Sequence, residues 1–387
     1  MDPTVRLLKQ LIAIDSINPS LVPGAAGEAA IARALVDEFR SIGLTADVQE
    51  VSPGRPNVVG VLEGRVPGRS LMYCGHIDTV GVSGMTRPFD PAERDGRIYG
   101  RGSQDMKAGV AAMIGAARVI AESGGLDGGR LVIACVVDEE HASIGADALV
   151  TKWRADAGVV TEPTDLRVAI AHKGFEWVEI ETEGRAAHGS RPHEGRDAIR
   201  LMGRVLAGLD ALDRELQSRP RHPLLGTASL HASLIHGGHE LSSYPDRCHL
   251  QMERRTIPGE APGCADREVQ ALLDRLRAED ADFKALSRLM FARSPHEIPA
   301  DHELPQMLLR SLPFDSAAGG LAQGRPAPIG MSFWTDAAVL SEAGIPAILF
   351  GPTGGGLHSI EEWVEVQSVL TCRDALVTLA RDWCRGA

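Results

Sequence analysis

The sequence has no excess of basic charge and no long apolar run, and each absence excludes a class of protein. Its 40 Lys and Arg residues are outnumbered by 52 Asp and Glu residues, which gives a formal net charge of -12. Nucleic acids and anionic membrane surfaces normally bind a basic footprint, so we expect neither as a partner. No segment approaches the ~18 to 20 consecutive apolar residues that cross a bilayer, so we expect no membrane-spanning helix.

Cysteine is scarce and widely spaced. The absence of C-x-x-C spacing argues against a zinc finger and against a disulfide framework. The six cysteines are Cys74, Cys135, Cys248, Cys264, Cys372 and Cys384. We interpret them as small buried hydrophobic residues and expect a cytoplasmic protein. The first 20 residues carry Arg6 and Lys9 among apolar residues at helical spacing, without the pattern of a signal peptide, and they predict a helix.

The 387 residues are too many for one ordinary domain. Between residues 28 and 173, helix-periodic segments alternate with short apolar strands. The predicted helices are Ala29 to Ile42 and Lys107 to Ser123, and the predicted strands are Asn57 to Leu62, Ser70 to Cys74 and Leu131 to Val137. This alternation predicts an α/β fold with helices on the faces of a sheet.

At about residue 174 the pattern changes to alternating strands separated by helical runs. The strands are predicted at Phe175 to Glu183, Thr227 to Ile235 and Arg247 to Glu253, and the helices at Asp197 to Leu216 and Asp266 to Arg277. After about residue 294 the α/β pattern resumes, with segments Ala337 to Ala343 (helix), Ala347 to Phe350 (strand) and Ser368 to Trp383 (helix). We therefore predict a discontinuous catalytic domain, residues 1–173 and 294–387, and an α+β insert, residues 174–293.

Potential metal ligands follow several of the predicted strands. One strand ends in His76-x-Asp78, where the carboxylate could orient the imidazole or contact the other side of a metal site. Glu162 follows a later strand, and His358 ends the glycine-rich segment that begins at Gly351. Because catalytic residues collect at the carboxyl ends of strands in such sheets, we expect these groups to lie close together.

Two further segments supply carboxylates, and each has a rival interpretation. A glycine-rich loop, residues 100–109, places Asp105 just before a helix. Such loops also bind phosphate, but this one fits neither the Walker spacing nor G-x-G-x-x-G. The apolar strand before Asp138 runs into the triplet completed by Glu139 and Glu140. An isolated acid triplet is usually a solvated turn, but adjacent carboxylates after a buried strand repel unless a cation gathers them, which favours a metal.

Two histidines and several carboxylates, without a cysteine pattern, suit zinc, with cobalt or manganese as substitutes. In order and form, these motifs resemble the peptidase M20 family over essentially the whole chain. That group includes acetylornithine deacetylase, succinyl-diaminopimelate desuccinylase and glutamate carboxypeptidase, and the chain looks like its acetylornithine deacetylase branch. The resemblance implies two Zn²⁺ per chain: Asp105 bridges both ions, His76 and Glu162 complete one site, and Glu140 and His358 complete the other. The four negative charges of three ligand carboxylates and one bridging hydroxide would balance the charge of the two Zn²⁺ ions.

The resemblance also implies a fold and several further roles. The fold would be a zinc-peptidase-type mixed sheet with flanking helices, and the insert a ferredoxin-like lid that forms a homodimer. Glu139 would be the general acid/base, and His188 would help hold the oxyanion, often across the dimer interface. Arg255 would grip a substrate carboxylate, although a surface salt bridge is the alternative interpretation. One departure is Ser242, where many relatives carry Asn.

We predict that the chain hydrolyses the amide bond of an N-acyl amino acid with metal-activated water. Asp78, which could orient His76 or contact the other side of the site, is included among the catalytic residues. A carboxypeptidase or dipeptidase acting on a short peptide is the alternative function. An inactive, ligand-binding member of the family would have lost ligand positions, whereas all five ligands and Glu139 are present in this sequence.

Overall fold

The computed structural model describes residues 1–312 and 327–385. Its helices are α1 (Pro3–Ile12), α2 (Ala29–Ser41), α3 (Lys107–Glu122), α4 (Ile144–Lys152), α5 (Ala198–Ser218), α6 (Cys264–Glu279), α7 (Glu303–Ser311), α8 (Ala337–Glu342) and α9 (Val366–Arg385). Its strands are β1 (Thr45–Ser52), β2 (Arg55–Glu63), β3 (Val66–His76), β4 (Ala92–Arg94), β5 (Arg97–Tyr99), β6 (Gly128–Val136), β7 (Ala157–Val160), β8 (Ala169–His172), β9 (Gly174–Glu183), β10 (Ser229–Gly237), β11 (Arg247–Thr256), β12 (Lys284–Arg293), β13 (His296–Glu297), β14 (Ile329–Met331), β15 (Ala347–Leu349), β16 (Gly354–Gly355) and β17 (Trp363–Glu365). Every helix and strand predicted above is confirmed, with ends that differ by a few residues.

The chain divides into two compact units. The first contains Met1–Ile170, Ile298–Ile329 and Thr335–Ala387, and the second contains Ala171–Glu297 and Gly330–Trp334. The predicted domain boundaries differ by a few residues from the positions where the chain passes from one unit to the other. The short return to the second unit at Gly330–Trp334 corresponds to no pattern that we recognised in the sequence. None of the helices in the described ranges is both long and apolar enough to cross a membrane.

The first unit is built on a mixed sheet whose strands follow the order β1-β2-β6-β3-β7-β15-β8. Strand β3 runs parallel to β6 on one side and to β7 on the other, whereas β2 is antiparallel to β6. The side chains of Leu131–Val136 are completely buried, because helices cover both faces of these central strands. The carboxyl ends of β3, β6 and β7 therefore lie side by side at one edge of the sheet.

Helices α3 and α9 pack on one face of β3 and β6, and α4 and α8 lie on the other face. Tyr73 of β3 donates a hydrogen bond to the Leu376 carbonyl of α9, at 2.6 Å. On the opposite face, Gly158 of β7 lies against Leu340 of α8. The fold is thus a mixed α/β fold with flanking helices, as predicted.

A second, smaller sheet in this unit has the order β16-β17-β5-β4. Its strands β16 and β17 flank the segment that contains His358, and β17 pairs with β5 just before the Gly100 loop begins. The small sheet therefore joins the two segments that supply His358 and Asp105, which are far apart in the sequence.

The second unit has the element order β9-α5-β10-β11-α6-β12, and its antiparallel sheet has the strand order β10-β11-β9-β12. This is the topology of a ferredoxin-like fold. Alternate residues of β9 and β11, such as Val178 and Leu250, pack with α5 and α6 in one apolar core. The open face of the sheet carries Trp177, Glu253 and Arg255, because the side-chain period of a strand is two residues.

Candidate metal centre

His76 is the last residue of β3 and is completely enclosed, with 1% of its surface exposed. Its Nδ1 donates a hydrogen bond to the backbone carbonyl of Asp78 at 3.1 Å. A carbonyl oxygen only accepts, so Nδ1 carries a hydrogen and Nε2 is the nitrogen left available to a metal ion. That Nε2 lies 3.0 Å from Asp105 Oδ1, 3.8 Å from Glu162 Oε1 and 3.9 Å from Glu139 Oε2. The imidazole is thus fixed with its ligand atom facing three carboxylates.

The carboxylate of Asp78 holds the backbone of the acid triplet. Its Oδ1 accepts from the N–H of Glu139 at 3.2 Å, and its Oδ2 accepts from the N–H of Glu140 at 3.3 Å and from Asn18 Nδ2 at 2.7 Å. Burial opposes its negative charge, but the hydrogen bonds with His76 and Asn18 outweigh burial and lower the pKa of Asp78. Asp78 therefore links the end of β3 to the end of β6, and Asn18 is a partner that no sequence motif indicated.

Asp105 lies in the loop before α3, and the Asp105–Met106 peptide bond is cis. The first turn of α3, directly after this loop, approaches the end of β7 closely: a Cβ at Gly109 would lie 1.9 Å from the Thr161 carbonyl oxygen. The two carboxylate oxygens of Asp105 face different histidines: Oδ1 is 3.0 Å from His76 Nε2 and Oδ2 is 3.2 Å from His358 Nε2. A carboxylate in this position can bridge two ions.

The remaining carboxylates come from the ends of β6 and β7. Glu140 Oε2 lies 3.1 Å from His358 Nε2, and its other oxygen is buried without a hydrogen-bond partner among the described residues. Only 11% of the Glu139 side chain and 5% of the Glu140 side chain are exposed, so the interpretation of this triplet as a solvated turn is wrong. Ligand atoms of His76, Glu139 and Glu162, and those of His76, Asp105 and Glu140, lie within 4.8 Å of one another.

The electrostatics of this cluster require positive charge. Burial, together with the neighbouring carboxylates, raises the pKa of Glu139 and Glu162 well above the usual range and that of Glu140 to about 7. Asp105 is the exception, because hydrogen bonds with His358 and His76 outweigh burial and lower its pKa. Carboxyl groups in such surroundings are all ionised at neutral pH only where cations balance them.

The donor set fits a pair of metal ions. The ionised carboxylates of Asp105, Glu139 and Glu162 that face His76 Nε2 offer only acceptor oxygens, and the buried Glu140 Oε1 has no hydrogen-bond partner among the described residues. Acceptors that face one another in a buried cluster repel, and a cation between them removes the repulsion. Imidazole and carboxylate donors without thiolates suit zinc, cobalt or manganese.

The rival interpretation of the Gly100 loop as a phosphate cradle is wrong. The backbone N–H groups of Gly102, Gln104 and Asp105 all donate to the carboxylate of Glu362, at 2.8 to 3.0 Å. Their hydrogen-bonding capacity is therefore used within the protein. Glu362 also forms an ion pair with Arg101 at 2.7 Å, and no sequence motif had indicated either residue.

The other two predicted site residues lie in the second unit. His188 is exposed, and its Nδ1 and the Ser190 hydroxyl form a hydrogen bond of 2.8 Å. The neighbouring Gly189 N–H donates to the Ser242 carbonyl at 2.7 Å, so Ser242 adjoins the His188 segment. His193, in the same segment, has 76% of its side chain exposed.

Arg255 lies on the open face of the sheet in the second unit. Its Nε donates to Glu253 Oε1 at 2.7 Å, and its guanidinium carbon lies 5.5 Å from the ring centre of Phe175. Among the described residues, its two Nη groups have no hydrogen-bond partner within range. The ion pair with Glu253 exists, but it uses one edge of the guanidinium and leaves the other edge for a ligand.

The chain is similar to known proteins in both sequence and fold. The chain is 28% identical to acetylornithine deacetylase of Photorhabdus laumondii subsp. laumondii, over 99% of this chain and 98% of that relative. Its fold matches a tripeptidase from Staphylococcus aureus with a TM-score of 0.79 at 20% identity, over 99% of this chain and 98% of that one. It also matches a dinuclear metal binding peptidase of the M20 family from Bacillus subtilis, with a TM-score of 0.73 at 14% identity, over 99% and 98% of the two chains.

The model of Peptidase family M20/M25/M40 matches residues 72–382, which is most of the chain. That range contains His76, Asp105, Glu139, Glu140, Glu162 and His358. The chain therefore belongs to peptidase family M20/M25/M40 and is a metal-dependent hydrolase of amide or peptide bonds.

Proposed function

We propose that the chain is a two-zinc deacylase that hydrolyses the amide bond of an N-acyl amino acid. The observation that carries the proposal is the position of Asp105, whose two oxygens face histidines from opposite ends of the chain. Similarity to acetylornithine deacetylase over nearly the whole chain supports the deacylase class. The free Nη edge of Arg255 supports a substrate that carries a carboxylate.

In this mechanism, His76 and Glu162 would hold one ion, Glu140 and His358 would hold the other, and both ions would share the carboxylate of Asp105. Two zinc ions bound there would acidify a water molecule and polarise the substrate carbonyl. Glu139 takes the proton from that water and delivers it to the leaving amine, so that water splits the amide without a covalent intermediate.

The proposal assigns two further roles to the second unit. His188 donates a hydrogen bond to the oxyanion, an interaction that acts mainly on the transition state. Arg255 pairs with the substrate carboxylate through its two Nη groups. Asp78 keeps His76 and the Glu139–Glu140 backbone in place and does not itself contact the substrate.

A substrate panel tests the proposed reaction. Zinc-loaded protein is incubated with N-acetyl, N-succinyl and N-formyl amino acids and with dipeptides, and the released amine is measured with ninhydrin. We expect cleavage of at least one N-acyl amino acid at a kcat/KM above that of every dipeptide. Faster cleavage of dipeptides would identify the chain as a peptidase instead.

Active protein is expected to contain two divalent metal ions per chain, because five ligands from separate segments are too many for one tetrahedral site. Elemental analysis of the purified active protein measures this ratio directly. Cobalt or manganese should restore activity after chelation. Full activity at one ion per chain, or activity that survives exhaustive chelation, would contradict the two-ion arrangement.

The second unit is expected to form a homodimer through the edge strand β10. This strand exposes 66% of Leu234 and 55% of Ile235, and an edge strand with apolar side chains can pair with a second copy. Light scattering at micromolar concentration should give the mass of two chains. Leu234→Asp should weaken the dimer, whereas Leu286→Asp on the opposite edge strand β12 should leave it intact. A monomeric wild type would refute the dimer, and the reverse pattern would place the interface at β12.

The dimer also allows a test of where His188 acts. Chains with His188→Ala are mixed and reassembled with chains that carry Glu139→Gln, and we expect each variant alone to be almost inactive. If His188 serves the partner's site, the mixed dimer contains one site with both residues intact and recovers activity. No recovery in a confirmed mixed dimer would place His188 in the site of its own chain or outside catalysis.

A further inference from the structure

One buried carboxylate outside the ligand set, that of Glu362, holds the loop that carries Asp105. Only 1% of Glu362 is exposed. Its Oε1 accepts from the backbone N–H groups of Gln104 at 2.8 Å and Asp105 at 3.0 Å. Its Oε2 accepts from the N–H of Gly102 at 3.0 Å and from Arg101 Nη1 at 2.7 Å. Four donors from one loop therefore converge on this carboxylate.

The same network reaches the segment that carries His358. Arg101, which is 3% exposed, donates through Nη2 to the carbonyl of Ser359 at 3.0 Å. The segment folds back tightly at Gly356, whose φ is +84°, and a Cβ there would lie 1.8 Å from the Glu361 carbonyl oxygen. The turn therefore requires glycine, and it brings His358 and Glu362 to the same loop.

We infer that Glu362 is a positioning residue of the metal centre, which fixes Asp105 and His358 relative to each other. This inference rests on the proposed metal-dependent function. Asp105 and His358 lie on different loops, yet their facing atoms are 3.2 Å apart. The pair Arg101–Glu362 connects those loops, so their ligand atoms are held together by the protein itself. A buried ion pair often contributes little net stability, so positioning of the two loops is a better explanation for the Arg101–Glu362 pair than stabilisation of the fold.

The geometry also explains why the side chain is a carboxylate and not an amide. Each oxygen of Glu362 accepts from two donors, whereas glutamine has only one oxygen. Whichever way the amide is turned, its NH₂ faces two donors. The Glu362→Gln substitution therefore leaves either the Gln104 and Asp105 amides or the Gly102 amide and Arg101 without an acceptor, and the loop must move.

Cobalt binding to the full-length protein tests the inference. The affinity for Co²⁺ is measured by competition with a chelator, and the visible absorption spectrum of bound Co²⁺ reports the ligand geometry. We expect Glu362→Gln to weaken Co²⁺ binding by about 10- to 100-fold and to change the spectrum. Glu361→Gln is the matched control, because it removes the same charge from an exposed neighbour, and it should behave like the wild type.

Each outcome of this experiment is decisive. A wild type that binds no Co²⁺ overturns the metal centre itself. If the wild type binds Co²⁺ and Glu362→Gln shows the same affinity and spectrum with only a lower melting temperature, Glu362 is merely structural and the inference is overturned. If Glu362→Gln does not fold, Glu362→Asp replaces it, since it keeps both oxygens but shortens their reach. A wild-type affinity and spectrum in Glu362→Asp would also overturn the inference.

Discussion

Glu139→Gln is expected to lower kcat by about 10² to 10⁴-fold and to leave the fold and the metal content unchanged. The amide is nearly isosteric with the carboxylate, but it cannot take a proton from water or return it to the leaving amine. Glu139 is buried at the edge of the cluster, with its Oε2 3.9 Å from His76 Nε2. Turnover, metal content and thermal unfolding of the variant are measured on the same preparation.

Glu140→Gln provides the contrast, because the two residues are adjacent and the charge change is identical. Glu140 Oε2 lies 3.1 Å from His358 Nε2, and its other oxygen has no donor among the described residues. We expect this variant to lose metal affinity, and to lose activity only as a consequence. If Glu140→Gln keeps its metal and Glu139→Gln loses it, the assignments of base and ligand are reversed.

The sequence predicted that the side chains at these strand ends lie close together, because parallel strands impose a simple geometry. The apolar runs before His76, Glu139 and Glu162 are β3, β6 and β7, which are neighbours with the same direction. Their carboxyl ends must therefore meet, whatever the details of the loops. The same pattern indicated the fold class, because continuous apolar strands between amphipathic helices need helices on both faces of a sheet.

The connections among the loops could not be predicted in the same way. Glu362 and Arg101 are 261 positions apart, and neither belongs to a periodic pattern or a recognised motif. Asn18 reaches Asp78 across 60 positions in the same manner. Such contacts depend on the exact course of irregular segments. Strand β12 was not predicted, for a local reason. Its register against β9 shifts between Leu289 and Phe291, and this shift interrupts the alternation of apolar and polar residues.

Arg255→Ala is expected to lower kcat/KM for N-acyl amino acids by well over tenfold without changing metal content. The loss of a charge pair with a substrate carboxylate in a closed site corresponds to about 2 to 5 kcal/mol. The guanidinium is held in position for this contact, because Glu253 fixes its Nε at 2.7 Å and the ring centre of Phe175 lies 5.5 Å from its central carbon. Arg247→Ala is the matched control. Arg247 lies on the same face of β11 as Arg255 and pairs with Glu181, and we expect its removal to leave the kinetics of the wild type unchanged.

The substrate offers the complementary change, since amidation removes its charge and leaves its shape almost unaltered. If Arg255 pairs with that carboxylate, amidation should reduce kcat/KM strongly for the wild type and for Arg247→Ala, but only slightly for Arg255→Ala. The two losses are not additive because they remove the same interaction. Equal cleavage of the free acid and the amide by the wild type would show that Arg255 does not bind the substrate carboxylate. Its contact with Glu253 would then be a surface salt bridge, and an amide or peptide with a neutral end would be the better substrate hypothesis.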